Sequence, residues 1–376
     1  MLNLLHLITD LDVGGTETFL SRLVDRMDRA RFRNVAVALN GDGIIADRIR
    51  RSGIEVLSLG MARGGTDVRA VMRLVRILRR ERPHLIHSWL YHADMLGLVA
   101  GKIAGVKCIA WNIRCSDMDM KLYSGRTALL RRVLAVASRM PQAVVCNSEA
   151  GRAFHESIGY RPHHWEVIEN GVDTDQFKSD PAARNRIREE LGVSPATPLI
   201  GVVARHDPMK GHANFLCAVT GLRDVEIVFV GRGMETGNDA LGRLITPDHP
   251  PIHLLGERSD IVDILSALDI FCMPSGFGEG FPNALVEAMS CGVPCVATDV
   301  GDAARLVGSG GIIVPPADPD FLGKGIAEYI DLGVEGRARI GDAARERVIR
   351  NFDIDLSVKR YEDFYCDLTS TPDART

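Results

Sequence analysis

The 376-residue chain has no Cys-x2-Cys pair, and its eight cysteines are scattered, with Cys291 and Cys295 the closest two. That argues against a zinc ribbon or finger and against a disulfide scaffold, and leaves reduced thiols in a cytoplasmic protein as the expectation. No apolar run reaches the ~20 residues of a membrane-spanning helix, because Lys102 and Lys107 interrupt the best candidate. The start, Met1-Leu2-Asn3-Leu4-Leu5-His6, lacks the basic residues and small-residue cleavage site of a secretion signal. Repeats and low-complexity tracts are missing as well. The Gly-x-Gly-x-x-Gly fingerprint of dinucleotide binding is also absent after the first strand, where Gly14-Gly15 stands instead.

What is present describes a soluble globular protein, with 46% hydrophobic residues, 25% charged residues and a mean hydropathy near zero. The length suits two domains, each able to bury a core. A net charge of −4 conceals an asymmetry: residues 1–170 hold 25 Lys and Arg against 17 Asp and Glu, hence +8, and the remainder holds 20 against 32, hence −12. Two halves of opposite sign either point to different surface partners or reflect a chance distribution of charge.

Short apolar runs alternate with helical patterns throughout, the signature of parallel α/β layering. Strands are expected at Leu4–Thr9, Asn34–Leu39, Glu55–Leu59, Leu85–Ser88, Cys108–Trp111, Ala143–Cys146 and Trp165–Ile168. The second half repeats the pattern at Leu199–Val203, Glu226–Val230, Ile252–Leu255, Ile270–Met273, Cys295–Thr298 and Gly311–Val314. Helices fill most intervals, among them Thr16–Met27, Val68–Arg80, Arg126–Arg139 and Asp260–Ala267. We place an N-terminal domain over 1–178 and a C-terminal domain over 179–354. A final helix over 355–370 packs back on the first domain, and a frayed tail follows it. Both domains read as doubly wound, Rossmann-like sheets, which bind ligands beyond the carboxyl ends of their strands and here are expected to face each other across a cleft.

The most informative stretch is Gly278–Gly292, where Glu279 and Glu287 are seven residues apart. It follows the strand Ile270–Met273, so Glu279 falls in a Gly-rich loop and Glu287 two turns inside the following helix. Free peptide N–H groups around Phe281, Asn283 and Ala284 favour an anion at the helix start. A phosphate held there, with carboxylates to accept from sugar hydroxyls, outlines a nucleotide-sugar site.

Other motifs fall at strand ends. Asp12-Val13-Gly14-Gly15-Thr16-Glu17 opens a helix after the first strand, where it either lets the backbone approach a ligand or makes a tight turn capped by Thr16. Arg205 ends a strand and Lys210-Gly211-His212 follows, a cation pair suited to a diphosphate. His87 and His92 flank Trp89 and Tyr91 beyond the fourth strand, and Asn112 and Arg114 follow the next one. In the Gly256–Asp260 loop, Ser259 or Asp260 is available as a helix cap. Arg126, Arg131, Arg132 and Arg139, with the arginine-rich helix Arg69–Arg80, make a basic face that is either solvated or laid on an anionic membrane.

Assembled in order, these residues resemble glycosyltransferase family 4, the retaining group 1 transferases of the GT-B fold. The resemblance spans nearly the whole chain and also draws on Val145–Ser148, Ile168–Asp173, Pro274-Ser275, Pro294 and Thr298–Gly301. It implies that Arg205, Lys210 and Gly211 hold the donor diphosphate and that Glu287 holds the ribose. Glu279 and the stretch Gly280, Phe281, Pro282, Asn283, Ala284 and Leu285 would hold the sugar and distal phosphate. The Arg258 loop would lie by the base, with Gly14 and Gly15 near the phosphates. Arg205, Lys210 and Glu279 would be the catalytic set, without metal or cofactor. Thr16, Glu17, His92, Asn112 and Arg114 are the candidates on the acceptor side. Where many relatives carry a histidine, this chain has Asn112, which cannot take a proton; the departing phosphate is then expected to take the acceptor's proton itself.

The implied donor is a nucleotide-diphosphate sugar, UDP-linked by default. The implied acceptor is a glycan or lipid-linked sugar in cell-surface polysaccharide assembly, with an anionic membrane surface as a further partner and no role for nucleic acid. A peripheral position on the inner face of the membrane would follow. The rival readings are a sugar-nucleotide epimerase on the same fold and a non-catalytic nucleotide-sugar-binding protein.

Overall fold

The computed structural model describes residues 1–12, 14–62, 68–118 and 125–370; the tail beyond Ser370 lies outside them. The chain divides into two compact units, residues 1–171 with 354–376, and residues 172–353. Thirteen strands are present among the described residues. In the first unit they are β1 Leu2–Ile8, β2 Phe32–Ala38, β3 Glu55–Ser58, β4 Leu85–Trp89, β5 Cys108–Ile113, β6 Ala143–Cys146 and β7 Trp165–Val167. The second holds β8 Leu199–Val203, β9 Glu226–Val230, β10 Ile252–Leu254, β11 Ile270–Met273, β12 Cys295–Thr298 and β13 Gly311–Val314.

Both sheets are parallel and ordered alike, β3-β2-β1-β4-β5-β6-β7 and β10-β9-β8-β11-β12-β13. The direction of winding therefore reverses between β1 and β4, and again between β8 and β11. Loops leaving those neighbours diverge and open a crevice beyond each sheet's carboxyl edge.

Helices cover both faces of each sheet, so the strands are buried on both sides and read as unbroken apolar runs. In β1, Leu4 and Ile8 pack with Phe19, Leu23, Trp89, Tyr361 and Tyr365 on one face. Leu5 and Leu7 pack with Leu74, Leu78 and Trp111 on the other. The last helix, Ile354–Ser370, belongs to the first unit, where its Tyr365 hydroxyl meets His87 Nδ1 at 2.8 Å. Counted by unit, the first carries 28 Lys and Arg against 22 Asp and Glu, hence +6, and the second 17 against 27, hence −10. Among the described residues no helix is long and apolar enough to cross a membrane.

Candidate functional site

In the second unit the residues of interest gather where β8 and β11 end side by side. Beyond β8, Asp207 caps a short 3-10 turn, Pro208–Lys210, by accepting from the Met209 amide at 3.0 Å. Gly211 follows with φ +65°, and a Cβ there would overlap the Pro274 carbonyl oxygen beyond β11. Only glycine permits both the left-handed conformation and that approach. The close packing brings the two loops together, and Lys210 Nζ lies 2.6 Å from Glu279 Oε1.

Glu279 is buried at 6% exposure, and its Oε1 also accepts from Ser275 Oγ at 2.7 Å. The loop that carries Ser275 is fastened in turn: Thr298 Oγ1 at the end of β12 donates to the Ser275 carbonyl at 2.6 Å. Gly301 supports the other side, since a Cβ there would run into the Glu279 carbonyl oxygen. A cation and a carboxylate thus share one fixed position at the sheet's switch point. Such a pair presents a positive group for phosphate and an acceptor for a hydroxyl within one small volume.

The following helix runs Asn283–Ser290 with Pro282 at its N-cap and no side chain capping it. Glu287, half-buried, therefore stands little more than one turn inside the helix rather than two. Phe281, Pro282, Leu285 and Gly280 are buried, while Asn283 and Ala284 are half-buried at the helix start. Arg205 is exposed and pairs with Asp207 through Nε at 3.1 Å and Nη2 at 2.9 Å. An exposed pair of this kind is held weakly, so the guanidinium can exchange Asp207 for an anionic ligand at small cost.

Arg258 corrects the expectation for its side chain. Its guanidinium is taken up by Asp260 at 2.8 and 2.6 Å and by Glu190 at 2.6 and 3.3 Å. Two carboxylates hold its pKa above the ordinary arginine value and leave its loop fastened to the helix Pro181–Leu191. The side chain thus joins its loop to that helix. Asp260 is the N-cap residue of the next helix, yet its carboxylate serves Arg258 instead of the helix amides.

In the first unit, Gly14 is the N-cap of the helix Gly15–Arg26, and Thr16 lies within the first turn. A Cβ on Gly14 would overlap the Glu17 carboxylate, so the glycine makes room for that side chain. Glu17 is 9% exposed, and burial, with Asp10 and Asp12 nearby, pushes its pKa up to about 7. Arg114 lies under the same helix, its guanidinium 4.7 Å from the Phe19 ring and 5.4 Å from the Trp89 ring. Arg114 Nη2 donates to Asn170 Oδ1 at 2.6 Å, while its Nε and Nη1 are buried without a partner. His92 is exposed at the start of the helix Tyr91–Ala104.

Asn112, expected on the acceptor side, is corrected as well, and His87 is packed beside it. Both are wholly buried: Asn112 Nδ2 donates to His87 Nε2 at 3.2 Å and to the Tyr361 hydroxyl at 3.1 Å. Burial, with the neighbouring His6 and Arg114, keeps the His87 pKa well below the ordinary value. These side chains join the strands to the last helix and are not open to a ligand. The residue missed by sequence at this edge is Leu90. It follows β4 with φ 75° and ψ 153°, a conformation that costs a non-glycine residue about 1–3 kcal/mol.

His249 and His253 stand four apart, but His249 bonds to Thr246 and the Leu216 carbonyl, and His253 bonds to Glu226. Among the described residues no three His, Cys, Asp or Glu side chains come together as a metal set.

The Glu17 environment has a measurable consequence. The unfolded chain releases this proton near the ordinary glutamate value of 4.5, whereas the folded state retains it to about 7. Stability therefore falls as pH rises through that interval, and the full cost stands above it. Glu17→Gln should gain about 1–3 kcal/mol over the parent near pH 8 and nothing near pH 4, read from denaturant midpoints. An equal difference at both pH values would refute the assignment.

Comparison with known proteins gives two family models on this chain. One described as glycosyl transferases group 1 matches residues 197–331, and one described as glycosyltransferase family 4 matches residues 13–176. An Escherichia coli UDP-Gal:alpha-D-GlcNAc-diphosphoundecaprenol alpha-1,3-galactosyltransferase is 25% identical over 80% of each chain. A Corynebacterium glutamicum GDP-mannose-dependent monoacylated phosphatidylinositol monomannoside mannosyltransferase is 29% identical over 72% of this chain and 73% of its own. Among solved structures, Anabaena HepE in complex with UDP-glucose has a TM-score of 0.84 at 24% identity, covering 98% of this chain and 100% of that one.

Proposed function

Because the chain belongs to glycosyltransferase family 4, we propose that it moves a sugar from a nucleotide-diphosphate sugar, UDP-linked in our reading, to a glycan or lipid-linked acceptor in cell-surface polysaccharide assembly. The observation that carries this reading is the Lys210–Glu279 pair, fixed by Ser275 where β8 and β11 end. Lys210 and Arg205 stabilise the charge on the departing diphosphate. Glu279 accepts from a sugar hydroxyl and opposes the positive charge that builds on the ring. Glu287 takes the ribose hydroxyls, and the amides at the start of the helix Asn283–Ser290 face the distal phosphate.

The transfer retains configuration. The bond from the anomeric carbon to the diphosphate oxygen breaks as the acceptor oxygen bonds on the same face. The acceptor's proton passes to the departing phosphate oxygen, so no side-chain base is needed at Asn112. The cations do the electrostatic work, so the reaction runs without a metal. UDP as the nucleotide is supported by the names of the Escherichia coli relative and of HepE. The Corynebacterium relative, named for GDP-mannose, makes GDP the competing choice.

A thermal-shift series with UDP, GDP, UDP-glucose and GDP-mannose tests the donor. The expected result is stabilisation by the uridine compounds, about 2.7 kcal/mol at a hundred times the dissociation constant. A response to GDP alone overturns the donor, and silence with all four overturns the reading. EDTA is expected to leave turnover unchanged, and loss of activity restored by added divalent cation would end the metal-free account. Donor conversion to an epimeric sugar in place of transfer would favour the epimerase.

A further inference from the structure

The helices Val68–Glu81, Tyr91–Ala104 and Gly125–Ala137 pack side by side over one face of the first unit's sheet. Of the sixteen exposed large hydrophobic side chains among the described residues, eight lie on this single layer. Val68 and Met72 are exposed on the first helix, and Val99 and Ile103 on the second. Leu129, Val133 and Val136 continue the row on the third, with Met140 just beyond it. The spacings of three and four place the members of each set on one helix face.

Among the described residues, charge on the layer is almost all of one sign. Residues 68–81, 91–104 and 125–142 hold ten Lys and Arg and only two acids, Glu81 and Asp94. Neither acid is displayed: the Glu81 side chain is 9% exposed and paired with Arg33 and Arg80, and Asp94 is buried against Ser88. The opposite side of the same unit is different. There the surface carries both signs in pairs, Arg26 with Asp355 and Arg31 with Glu362. A merely solvated face would look like that second side.

We infer that this three-helix layer is a docking face for an anionic lipid bilayer, with its aliphatic side chains entering between lipids and its cations meeting the phosphates. The inference deepens the proposed function, on which it rests only for the membrane-borne acceptor. Arrangement favours lipid over a protein partner. A protein interface gathers apolar side chains at its centre and thins out charge there. Here Arg69, Arg73, Lys102, Arg132 and Arg139 are interleaved with the apolar positions. Long cationic side chains can bury their stems and reach headgroups from such places.

The test is sedimentation of the full chain with phosphatidylcholine vesicles, with and without phosphatidylglycerol. The protein should pellet with the mixed vesicles, less so at high salt, and stay in solution with phosphatidylcholine alone. Val133→Ser with Val136→Ser should lower partitioning about tenfold or more, because both side chains leave the apolar phase. Arg132→Glu with Arg139→Glu should abolish it. These positions are exposed, so both double variants should keep the parent's unfolding temperature and its response to UDP. Equal binding to neutral vesicles, no binding by the parent, or full binding by the valine variant each overturns the inference. Vesicle binding by a protein that ignores every nucleotide would sink the proposed function and leave this face standing.

Discussion

Lys210→Ala is expected to lose both donor use and fold stability. The ammonium is the partner of a carboxylate that is nearly out of water, with the two side chains 20% and 8% exposed. Removing it takes a counter-charge at 2.6 Å from this buried carboxylate, a type of loss worth about 3 kcal/mol. The same change deletes a charge-assisted bond to the diphosphate, about 1.5–3 kcal/mol or ten- to a hundredfold in donor affinity and turnover. The two losses separate in Lys210→Arg. A guanidinium keeps the counter-charge, so the unfolding temperature should largely return. Its planar fork cannot reproduce a point charge above the diphosphate, so turnover should not. Calorimetry with UDP beside thermal unfolding reads both. Unchanged UDP affinity in Lys210→Ala removes Lys210 from the site.

Much of the architecture is legible in the sequence because parallel strands covered on both sides appear as apolar runs. All thirteen expected strands are present, six of them with the expected bounds and the rest with an end displaced by one or two residues. Residue 171, rather than 178, ends the first unit. The cause is non-local: the Val172 amide donates to the Phe352 carbonyl, a pairing that joins the second unit's two ends. No window of sequence contains it.

Side-chain partners divide in the same way. Gly211 is legible because a glycine after a strand-end turn has a backbone reason to be there. Arg258 looks free in its own loop, yet Glu190, sixty-eight residues earlier, takes its guanidinium. Asn112 looks like a strand-end ligand, yet Tyr361 comes from the last helix to occupy its amide. Ser275 is visible in the sequence as half of a Pro-Ser pair after β11. Its role is not, because that role depends on a rotamer aimed back at Glu279.

Separating Glu279 from Glu287 is the sharpest consequence of the site, and the Lys210 contact determines its form. Lys210 bonds to Glu279 at 2.6 Å, so part of its charge is already compensated before a donor arrives. Glu279→Gln removes that compensation while keeping an acceptor near Ser275. Free UDP should then bind as tightly as to the parent or tighter, because the ammonium is fully available to phosphate. Turnover should fall about a hundredfold, because the carboxylate opposes charge that exists only as the sugar leaves. Glu287→Gln lies one turn into the helix, at the ribose end, and should weaken UDP and UDP-sugar alike by about tenfold, the loss of a charge-assisted hydroxyl bond. Calorimetry with both ligands, beside donor turnover, distinguishes the two variants. If Glu279→Gln weakens free UDP as severely as Glu287→Gln does, Glu279 belongs to the nucleotide end and the sugar must sit elsewhere.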